Sequence, residues 1–464
     1  MTHNFVTAPG QGPGRPGLPL AERVLSTLNQ DGTRRYIRPK LAHGRFWTRR
    51  RIVGYALIAL FVLLPRLRID GHPAVLIDLV TREIYAFGAV FRPSEGFVLA
   101  LLGITIVLAV FLVTALFGRV WCGWGCPQTV YLELVFRPIE RWLEGSRGQR
   151  ASVWRLGLKW TIYVALSFTI ANVFLAYFVG TDRLEQWVFE SPLDHLGGFM
   201  IVVGVSMLML IDFGWFREQM CIVACPYGRL QSVLLDKQSL IVGYDAKRGE
   251  PRTKAKKKLP VVGGDCVDCG ACVAVCPTGI DIREGLQMEC IGCAQCIDAC
   301  DGVMDKLSRK RGLIGYTSQD QLAGLPRRIW RARTVMYPAL LVLGLGLLAW
   351  TISTRAFTEV WVERVSGPSF VELPDGTISA QARIKLENKD SSERRYILML
   401  ADSPNASLRS QAQWTIKAHK SLEIPLFIDV PRSSFVAGKR RVWVRIHDST
   451  GFERVVALTL LGPT

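Results

Sequence analysis

Histidine is scarce in this chain, and none of its six histidines falls in a long apolar stretch. Haem groups in membrane domains are commonly held by histidines on the spanning helices. The sequence therefore speaks against a haem-bearing membrane subunit. His72 and His195, in predicted loops, are better interpreted as surface residues than as metal ligands. The six histidines are His3, His43, His72, His195, His419 and His447.

Acidic residues are also few, 39 against 57 basic ones, which gives a net charge of +18. A basic chain is a candidate nucleic-acid binder, but no recognised DNA- or RNA-binding motif is present. Hydrophobic residues nevertheless make up 49% of the chain, and this combination favours membrane helices joined by basic loops. We therefore predict a membrane protein with no nucleic-acid partner.

Five apolar stretches are long enough to cross a bilayer. They are residues 52–68, 97–117, 157–179, 197–214 and 335–353. The segment before the first apolar stretch is rich in arginine. By the positive-inside rule, these arginines place the N-terminus in the cytoplasm. The loops at 69–96 and 180–196 are then outside, and an odd number of spans puts the last segment outside as well.

The predicted domains follow from these spans. They are a disordered, basic cytoplasmic tail at 1–50, a four-span membrane domain at 51–214, a cytoplasmic segment at 215–334, a fifth helix at 335–353 and an outer domain at 354–464.

Eight of the twelve cysteines form two runs with the spacing C-x2-C-x2-C-x3-C. The runs are Cys266, Cys269, Cys272 and Cys276, followed by Cys290, Cys293, Cys296 and Cys300. This spacing is typical of bacterial two-cluster ferredoxins, in which the fourth cysteine of each run binds the other cluster. We predict two [4Fe-4S] clusters, one on Cys266, Cys269, Cys272 and Cys300, the other on Cys276, Cys290, Cys293 and Cys296. Structural zinc sites and disulfides fit this repeat less well.

The predicted ferredoxin domain covers about 258–306, and thiolates kept for iron indicate a reducing compartment. One detail departs from the pattern, because Asp301 and not proline follows Cys300.

The other four cysteines form two C-x3-C-P motifs, each just past an apolar stretch. Cys122 and Cys126 follow the second stretch, and Cys221 and Cys225 follow the fourth. A pair at i, i+4 lies on one helix face or at a helix start with proline in the first turn. We predict a metal or redox site, and its occupant is left open between Cu(I), zinc and iron–sulfur. The alternative is that these are buried apolar cysteines.

The last segment, 354–464, contains no cysteine, and its sequence pattern differs from that of the long apolar stretches before it. Short alternating or β-branched runs recur in it, separated by turn signals, and they predict an immunoglobulin-like sandwich with an interaction role. The predicted strands are 377–387, 395–400, 413–417, 421–430, 441–447 and 453–460. The predicted fold class is thus a membrane α-helical domain of about five spans, an inserted bacterial-type 2[4Fe-4S] ferredoxin domain and a C-terminal all-β sandwich.

Several segments together resemble one family. WCGWGCPQTVYLELVFRPIE, CIVACPYGRLQS and IVGYDAKRGEPR, with the five stretches and the β tail, are similar to the FixG/CcoG/RdxA family of accessory proteins for cbb3-type cytochrome oxidase assembly. The resemblance implies a protein of the bacterial inner membrane with a periplasmic C-terminal domain. It also implies reduction of Cu(II) to Cu(I) for copper supply. Implied partners are a cytoplasmic electron donor, copper-handling proteins and oxidase subunits.

Single-electron transfer fits this chemistry. Our hypothesis is that two clusters receive electrons and reduce copper at or near Cys122, Cys126, Cys221 and Cys225, which would then be the catalytic residues. Two alternatives are a quinol-linked membrane ferredoxin that feeds a periplasmic reductase, and a non-enzymatic assembly scaffold with a redox-sensing ferredoxin.

Overall fold

The structure, a computed structural model, describes residues 27, 36–69, 71–91, 95–145, 152–252, 263–326, 328, 330–354, 356–363, 370–390, 392–418 and 420–463. Most of the predicted tail at 1–50 therefore lies outside the described residues. Contacts divide the chain into two units, Met1–Leu348 and Ala349–Thr464.

Six helices organise the first unit. They are α1 (Arg45–Leu63), α2 (Gly96–Phe117), α3 (Val153–Val179), α4 (Leu196–Ile211), α5 (Gln295–Lys306) and α6 (Ala332–Ser353). Within the described residues, four of these helices are long and apolar enough to cross a membrane: α2, α3, α6, and α4 with its π-helical continuation to Phe216. The predicted stretches at 97–117, 157–179, 197–214 and 335–353 match them to within a few residues.

The first predicted span, 52–68, differs from the structure. It falls in α1, whose first two turns carry Arg45, Arg49, Arg50 and Arg51, and the α-helix ends at Leu63. Its apolar part is about 18 Å long at 1.5 Å per residue, against about 30 Å for a hydrocarbon core. The count of spans by length and composition is therefore four. The prediction that 354–464 lies outside the membrane depended on five spans. It therefore stays a prediction, and it requires α1 to cross the membrane.

Loops 69–91 and 180–195 meet at one end of the helices, which we call the far side. Here the strands Val75–Asp78, Glu83–Ala86 and Ala89–Phe91 form an antiparallel sheet, and Arg68–Ile69 pairs with His72–Pro73. The Leu79 N–H donates to the Phe178 carbonyl oxygen (3.3 Å), and buried Asp78 pairs with Arg183 (2.9 Å) next to the short helix Thr181–Phe189. Both loops were predicted to share one side of the membrane.

Residues 118–145, 215–252 and 263–326 pack together at the opposite end, the ferredoxin side. Strands Ile241–Tyr244 and Ile314–Thr317 pair there, and their side chains share a core with Ile282, Ile297 and Met304. The remaining helical segments on this side are Val120–Trp124, Pro127–Tyr131, Leu132–Phe136, Arg137–Glu144, Asp212–Phe216, Met220–Ala224, Pro226–Leu234, Ala246–Gly249, Ala271–Ala274, Ile282–Glu284 and Gln319–Ala323.

Helix α1 begins directly on helix α5. The backbone N–H groups of Phe46 and Trp47 donate to the two carboxylate oxygens of Asp298, at 3.1 and 2.7 Å. These are N–H groups that a helix start leaves without intrahelical partners, so Asp298 caps α1 from a distant part of the chain. Gly44 permits this approach, because a Cβ there would lie 2.3 Å from the Asp298 carboxyl carbon.

The second unit contains a sandwich of two antiparallel sheets. One sheet holds Thr358–Glu363, Phe370–Glu372, Thr377–Asn388, Ser407–Leu408 and Ser421–Pro431, and the other holds Arg394–Ala401, Gln413–Ile416, Lys439–Asp448 and Glu453–Leu461. Ile424, Leu426, Ile428 and Val430 are fully buried while the residues between them face outward, the period of two expected for a strand with one face on the core.

All six predicted strands of the sandwich are present, with ends shifted by at most two residues. Three were not predicted, Thr358–Glu363, Phe370–Glu372 and Ser407–Leu408. Runs of six, three and two residues are too short for alternation to stand out from chance.

Candidate metal centres

The eight cysteines of the two runs surround two separate cavities. The first cavity is lined by Cys266, Cys269, Cys272 and Cys300. The second is lined by Cys276, Cys290, Cys293 and Cys296, and Cys272 also reaches its wall. Each cavity thus takes three cysteines from one run and the last cysteine of the other, which is the exchange that the spacing predicts.

The two runs have the same backbone conformation. The second and fourth residues after the first cysteine have positive φ in both runs: Asp268 (46°) and Gly270 (65°), then Gly292 (67°) and Ala294 (62°). Non-glycine residues adopt this region at a cost of about 1–2 kcal/mol. A strained loop that is repeated in this way is characteristic of a ligand-binding backbone.

The donor set fits a cluster better than a single ion. Burial raises the pKa of the Cys290 and Cys293 thiols to about 11, so both need a positive partner to act as thiolates at neutral pH. Within the described ranges, no three Cys, His, Asp or Glu side chains converge closely enough to hold one metal ion. Four thiols spaced around a cavity suit a multi-iron cluster and not one zinc ion.

Asp301, where the pattern has proline, does not displace Cys300. It continues helix α5, and its carboxylate accepts a hydrogen bond from the Gly312 N–H at 3.0 Å.

The two C-x3-C-P motifs are structural equivalents. Cys126 and Cys225 both have extended backbones and stand just ahead of Pro127 and Pro226, which begin helices. The Cys126 N–H donates to the backbone carbonyl oxygen five residues earlier, that of Trp121, at 2.9 Å. The Cys225 N–H makes the same bond to the carbonyl oxygen of Met220 at 2.8 Å. The predicted proline in the first helical turn is therefore present in both motifs.

The two thiol pairs face each other. Burial raises the pKa of Cys221 to about 12, with smaller contributions from Cys126 and Cys122. Burial likewise raises the pKa of Cys122 to about 11, against a lowering effect of Arg119. Because the pKa values of Cys122, Cys126 and Cys221 all depend on thiols of the other motif, Cys225 among them, the four cysteines Cys122, Cys126, Cys221 and Cys225 lie near one another. We call them the four-thiol site.

An unpartnered polar atom adjoins the four-thiol site. The Cys122 Sγ donates to the Gln231 Oε1 at 3.0 Å, while the Gln231 Nε2 has no partner and the residue is fully buried. Burial raises the pKa of Cys126 and of Cys221, and the nearby Thr129 hydroxyl lowers the pKa of both thiols. A buried atom without a partner costs about 1–3 kcal/mol, so the site fits a bound group that would satisfy Gln231.

The four-thiol site packs against the second cavity. Gly123, next to Cys122, lies so close to the second run that a Cβ there would be 2.7 Å from the Cys293 Cα. The Trp124 Nε1 donates to the Tyr316 hydroxyl (2.9 Å), which donates to the Gly292 carbonyl oxygen (2.7 Å). The Arg50 Nε donates to the Gly123 carbonyl oxygen at 2.5 Å. These contacts join the two sites without intervening solvent.

Replacing Gly123 by alanine is expected to separate the two sites. The new methyl group would overlap the backbone of Ile291 and Cys293, and overpacking of this kind costs about 1–3 kcal/mol. Thermal unfolding and iron content of the purified variant measure the effect. Gly204→Ala in α4 is the matched control, because a Cβ there meets nothing within 4 Å. Equal behaviour of the two variants would show that the contact is dispensable.

A buried ionic network below the second cavity was not predicted. Arg137 pairs with Glu133 and with Glu218 (3.1 Å), and its Nη2 lies 3.4 Å from the carbonyl oxygen of Pro277. Arg217, also buried, pairs with Glu140 at 3.0 Å. The sequence did carry a signal, since Glu133, Arg137 and Glu140 recur at i, i+4 and i+7 on one helix face.

Family models match most of the chain. A 4Fe-4S binding domain matches residues 99–148, a 4Fe-4S dicluster domain matches 216–319, and the model described as an IG-like fold at the C-terminus of FixG matches 348–463. The first two matches include all twelve cysteines between them, and the third coincides with the β sandwich.

Relatives match along almost the full length. The chain is 36% identical to the nitrogen fixation protein FixG of Rhizobium meliloti over 94% of each chain. It is 36% identical to RdxA of Cereibacter sphaeroides over 84% of this chain and 86% of that one. The crystal structure of a FixG-related protein from Vibrio parahaemolyticus is 14% identical and covers 23% of this chain and 95% of its own, with a TM-score of 0.20. The chain therefore belongs to the FixG/RdxA family and is a membrane iron–sulfur electron-transfer protein.

Proposed function

We propose that this electron-transfer protein reduces Cu(II) to Cu(I), at or near the four-thiol site, for copper supply during assembly of a cbb3-type cytochrome oxidase. The observation that carries the proposal is the direct packing of the four-thiol site on the second cysteine cavity through Gly123 and Cys293. Groups at the two sites would be close enough to exchange electrons without domain movement.

The chain's own residues have distinct roles in this proposal. Cys266, Cys269, Cys272 and Cys300 would hold one [4Fe-4S] cluster, and Cys276, Cys290, Cys293 and Cys296 the other. When bound, such clusters take up and release one electron at a time. Arg50 stands beside Cys293 and Arg283 beside Cys272, and both would offset the negative charge of the thiolates.

Copper would be the substrate, reduced near the four-thiol site. Within the described residues the four thiols do not converge closely enough to hold one ion as they stand, so copper would contact fewer than three of them or draw them together. Cu(II) takes up one electron and becomes Cu(I), the ion that thiolates prefer, so Cys122, Cys126, Cys221 and Cys225 would favour the product. Gln231 supplies a polar atom that lacks a partner at this site.

The two units would serve different partners. Cys269 is the exposed cysteine of the first cavity, so an electron donor on the ferredoxin side, which we place in the cytoplasm, would approach there. The sandwich, in the periplasm of a bacterium, would dock copper-handling proteins or oxidase subunits. The quinol-linked relay and the non-enzymatic scaffold remain the alternatives to this function.

A second occupant of the four-thiol site is a third [4Fe-4S] cluster. The match of residues 99–148, which include Cys122 and Cys126, to a 4Fe-4S binding domain favours it. Copper would then be reduced at the edge of this cluster and not on the cysteines themselves.

Metal analysis of anaerobically purified protein, combined with a cupric reduction assay, tests the proposal. We expect about eight irons per chain, bound copper, and dithionite-driven formation of Cu(I) trapped by a chromogenic chelator. About twelve irons without copper would favour the third cluster. A truncated chain that lacks the sandwich should still form Cu(I). Absence of Cu(I) formation by iron-replete protein would reject the reductase.

A further inference from the structure

A cavity of about 250 Å³ opens beside the second cysteine cavity, outside the four-thiol site. Cys290, Gly292 and Tyr316 are among its lining residues. Most of the remaining wall is apolar, with Leu240 and Met288 among the lining residues. A molecule in this cavity would touch the backbone of the second run.

The cavity lies at the level where membrane helices end. Its lining residue Arg119 follows the end of α2 by two residues. Its lining residue Asp236 pairs at 2.5 Å with Arg331, the residue just before α6. Both helices belong to the four that can span a membrane.

Helices α2 and α6 also pack on each other above the cavity. The rings of Phe111 and Tyr337 stack with centroids 6.1 Å apart, and a Cβ on Gly344 would lie 3.0 Å from the Thr105 hydroxyl oxygen. Of the lining residues, Met288 is 65% exposed and Leu286 43% exposed. Exposed apolar side chains beside the ends of membrane helices suit contact with lipid, and this is the route by which a molecule from the bilayer would enter.

The polar groups of the cavity suit an uncharged ring that bears oxygens. Arg119 is 8% exposed, and its guanidinium donates to the carbonyl oxygen of Met288. Lys237 adds a second cation to the lining, and Gln319 adds a side-chain amide. An apolar wall with a few donors is the usual composition of a small-molecule site.

We propose that this cavity binds the ring of a membrane hydroquinone, which is a second electron donor of the proposed reductase beside the cytoplasmic donor that would approach Cys269. The inference rests on the proposed function for its electron acceptor. A soluble donor protein cannot enter a 250 Å³ cavity, and the phosphates of a dinucleotide would need a cradle of backbone N–H groups. A lipid-soluble ring needs only the apolar wall, the donors and access from the membrane.

The reaction balances with the cofactors already named. Oxidation of one hydroquinone to the quinone breaks two O–H bonds and releases two protons and two electrons. The two four-iron clusters are the oxidants and accept one electron each. The protons leave to water at the rim, where Lys237 and Asp236 lie. Two Cu(II) ions are then reduced for each hydroquinone.

The test uses the holoprotein in lipid nanodiscs and a short-chain quinone as the probe. Leu240→Trp fills the cavity, and Met288→Trp blocks its mouth from an exposed position that tolerates a larger side chain. Leu347→Trp, on the exposed face of α6, is the matched control. Quinone binding is followed by calorimetry, and hydroquinone-driven reduction by bleaching of the cluster absorbance.

We expect both cavity variants to bind the quinone about tenfold more weakly than wild type and to lose hydroquinone-driven bleaching, while Leu347→Trp behaves as wild type. Dithionite-driven Cu(I) formation should be equal in all four proteins, which separates this inference from the proposed function. The hydroquinone proposal would be overturned if both cavity variants bound the quinone and were bleached as wild type is. It would also be overturned if hydroquinone did not bleach the wild-type protein. Bleaching without Cu(I) formation would reject the copper function and leave the hydroquinone site standing.

Discussion

Protein in which Cys122 and Cys126 are both replaced by serine is expected to form no Cu(I) while keeping the cluster absorbance of wild type. Serine hydroxyls stay protonated at neutral pH and are hard ligands, so they neither bind Cu(I) well nor complete a four-thiolate site. The cysteines of the two cavities are untouched, because Cys122 lies against Cys293 without lining its cavity. The chelator assay and the absorbance spectrum measure the two quantities in one sample.

The reciprocal variant is the control for a single shared site. Replacing Cys221 and Cys225 by serine should abolish Cu(I) formation to the same extent, and replacing all four should have no further effect. Reduction at the wild-type rate in either pair variant would place the copper elsewhere in the protein.

Arg137→Leu is expected to cause the largest loss of stability. Arg137 is 2% exposed and pairs with Glu133 and Glu218, so its removal leaves the buried carboxylate of Glu133 without this cation and takes one of two arginines from Glu218, which Arg217 also contacts at 3.6 Å. Breaking a buried pair in this way costs about 3–5 kcal/mol. Since Arg137 also reaches the carbonyl oxygen of Pro277, next to Cys276, iron in the second cavity should be lost at a lower temperature.

Thermal unfolding in detergent, followed by circular dichroism and cluster absorbance, measures this effect. Arg311→Leu is the control, because Arg311 forms an exposed pair with Asp305 and such pairs contribute little. We expect no measurable shift in its unfolding temperature. A similar small shift for Arg137→Leu would mean that the network is hydrated in solution.

The cysteine spacing predicted that the last cysteine of each run joins the other run, because three thiols at i, i+3 and i+6 can surround only one side of a cavity. The structure places Cys300 beside the first run and Cys276 beside the second, and cluster binding by these cysteines stays a prediction. The sandwich was predictable for a similar reason, since strands with one face on a core must alternate. Both patterns are local, and each repeats often enough to stand out.

Features that depend on contacts between distant segments were not predictable. The spacing within each C-x3-C-P motif does not reveal that Cys221 senses Cys126, nor that Gly123 touches Cys293. The end of α1 at Leu63 was missed because the apolar run continues past it. The cavity beside Cys290 is lined by residues that follow α2, by residues 235–242 and by the ferredoxin loop at 286–292, which no single stretch of sequence brings together.

The capping of α1 by Asp298 has a mechanical consequence. Many electron carriers swing on a tether between the partner that loads them and the partner that unloads them. Here the ferredoxin helix α5 supplies the carboxylate on which α1, a helix of the membrane domain, starts. A swing would break both of these hydrogen bonds at once. The ferredoxin region is therefore a fixed part of the membrane domain, and its turnover should not depend on solvent viscosity as that of a tethered carrier does.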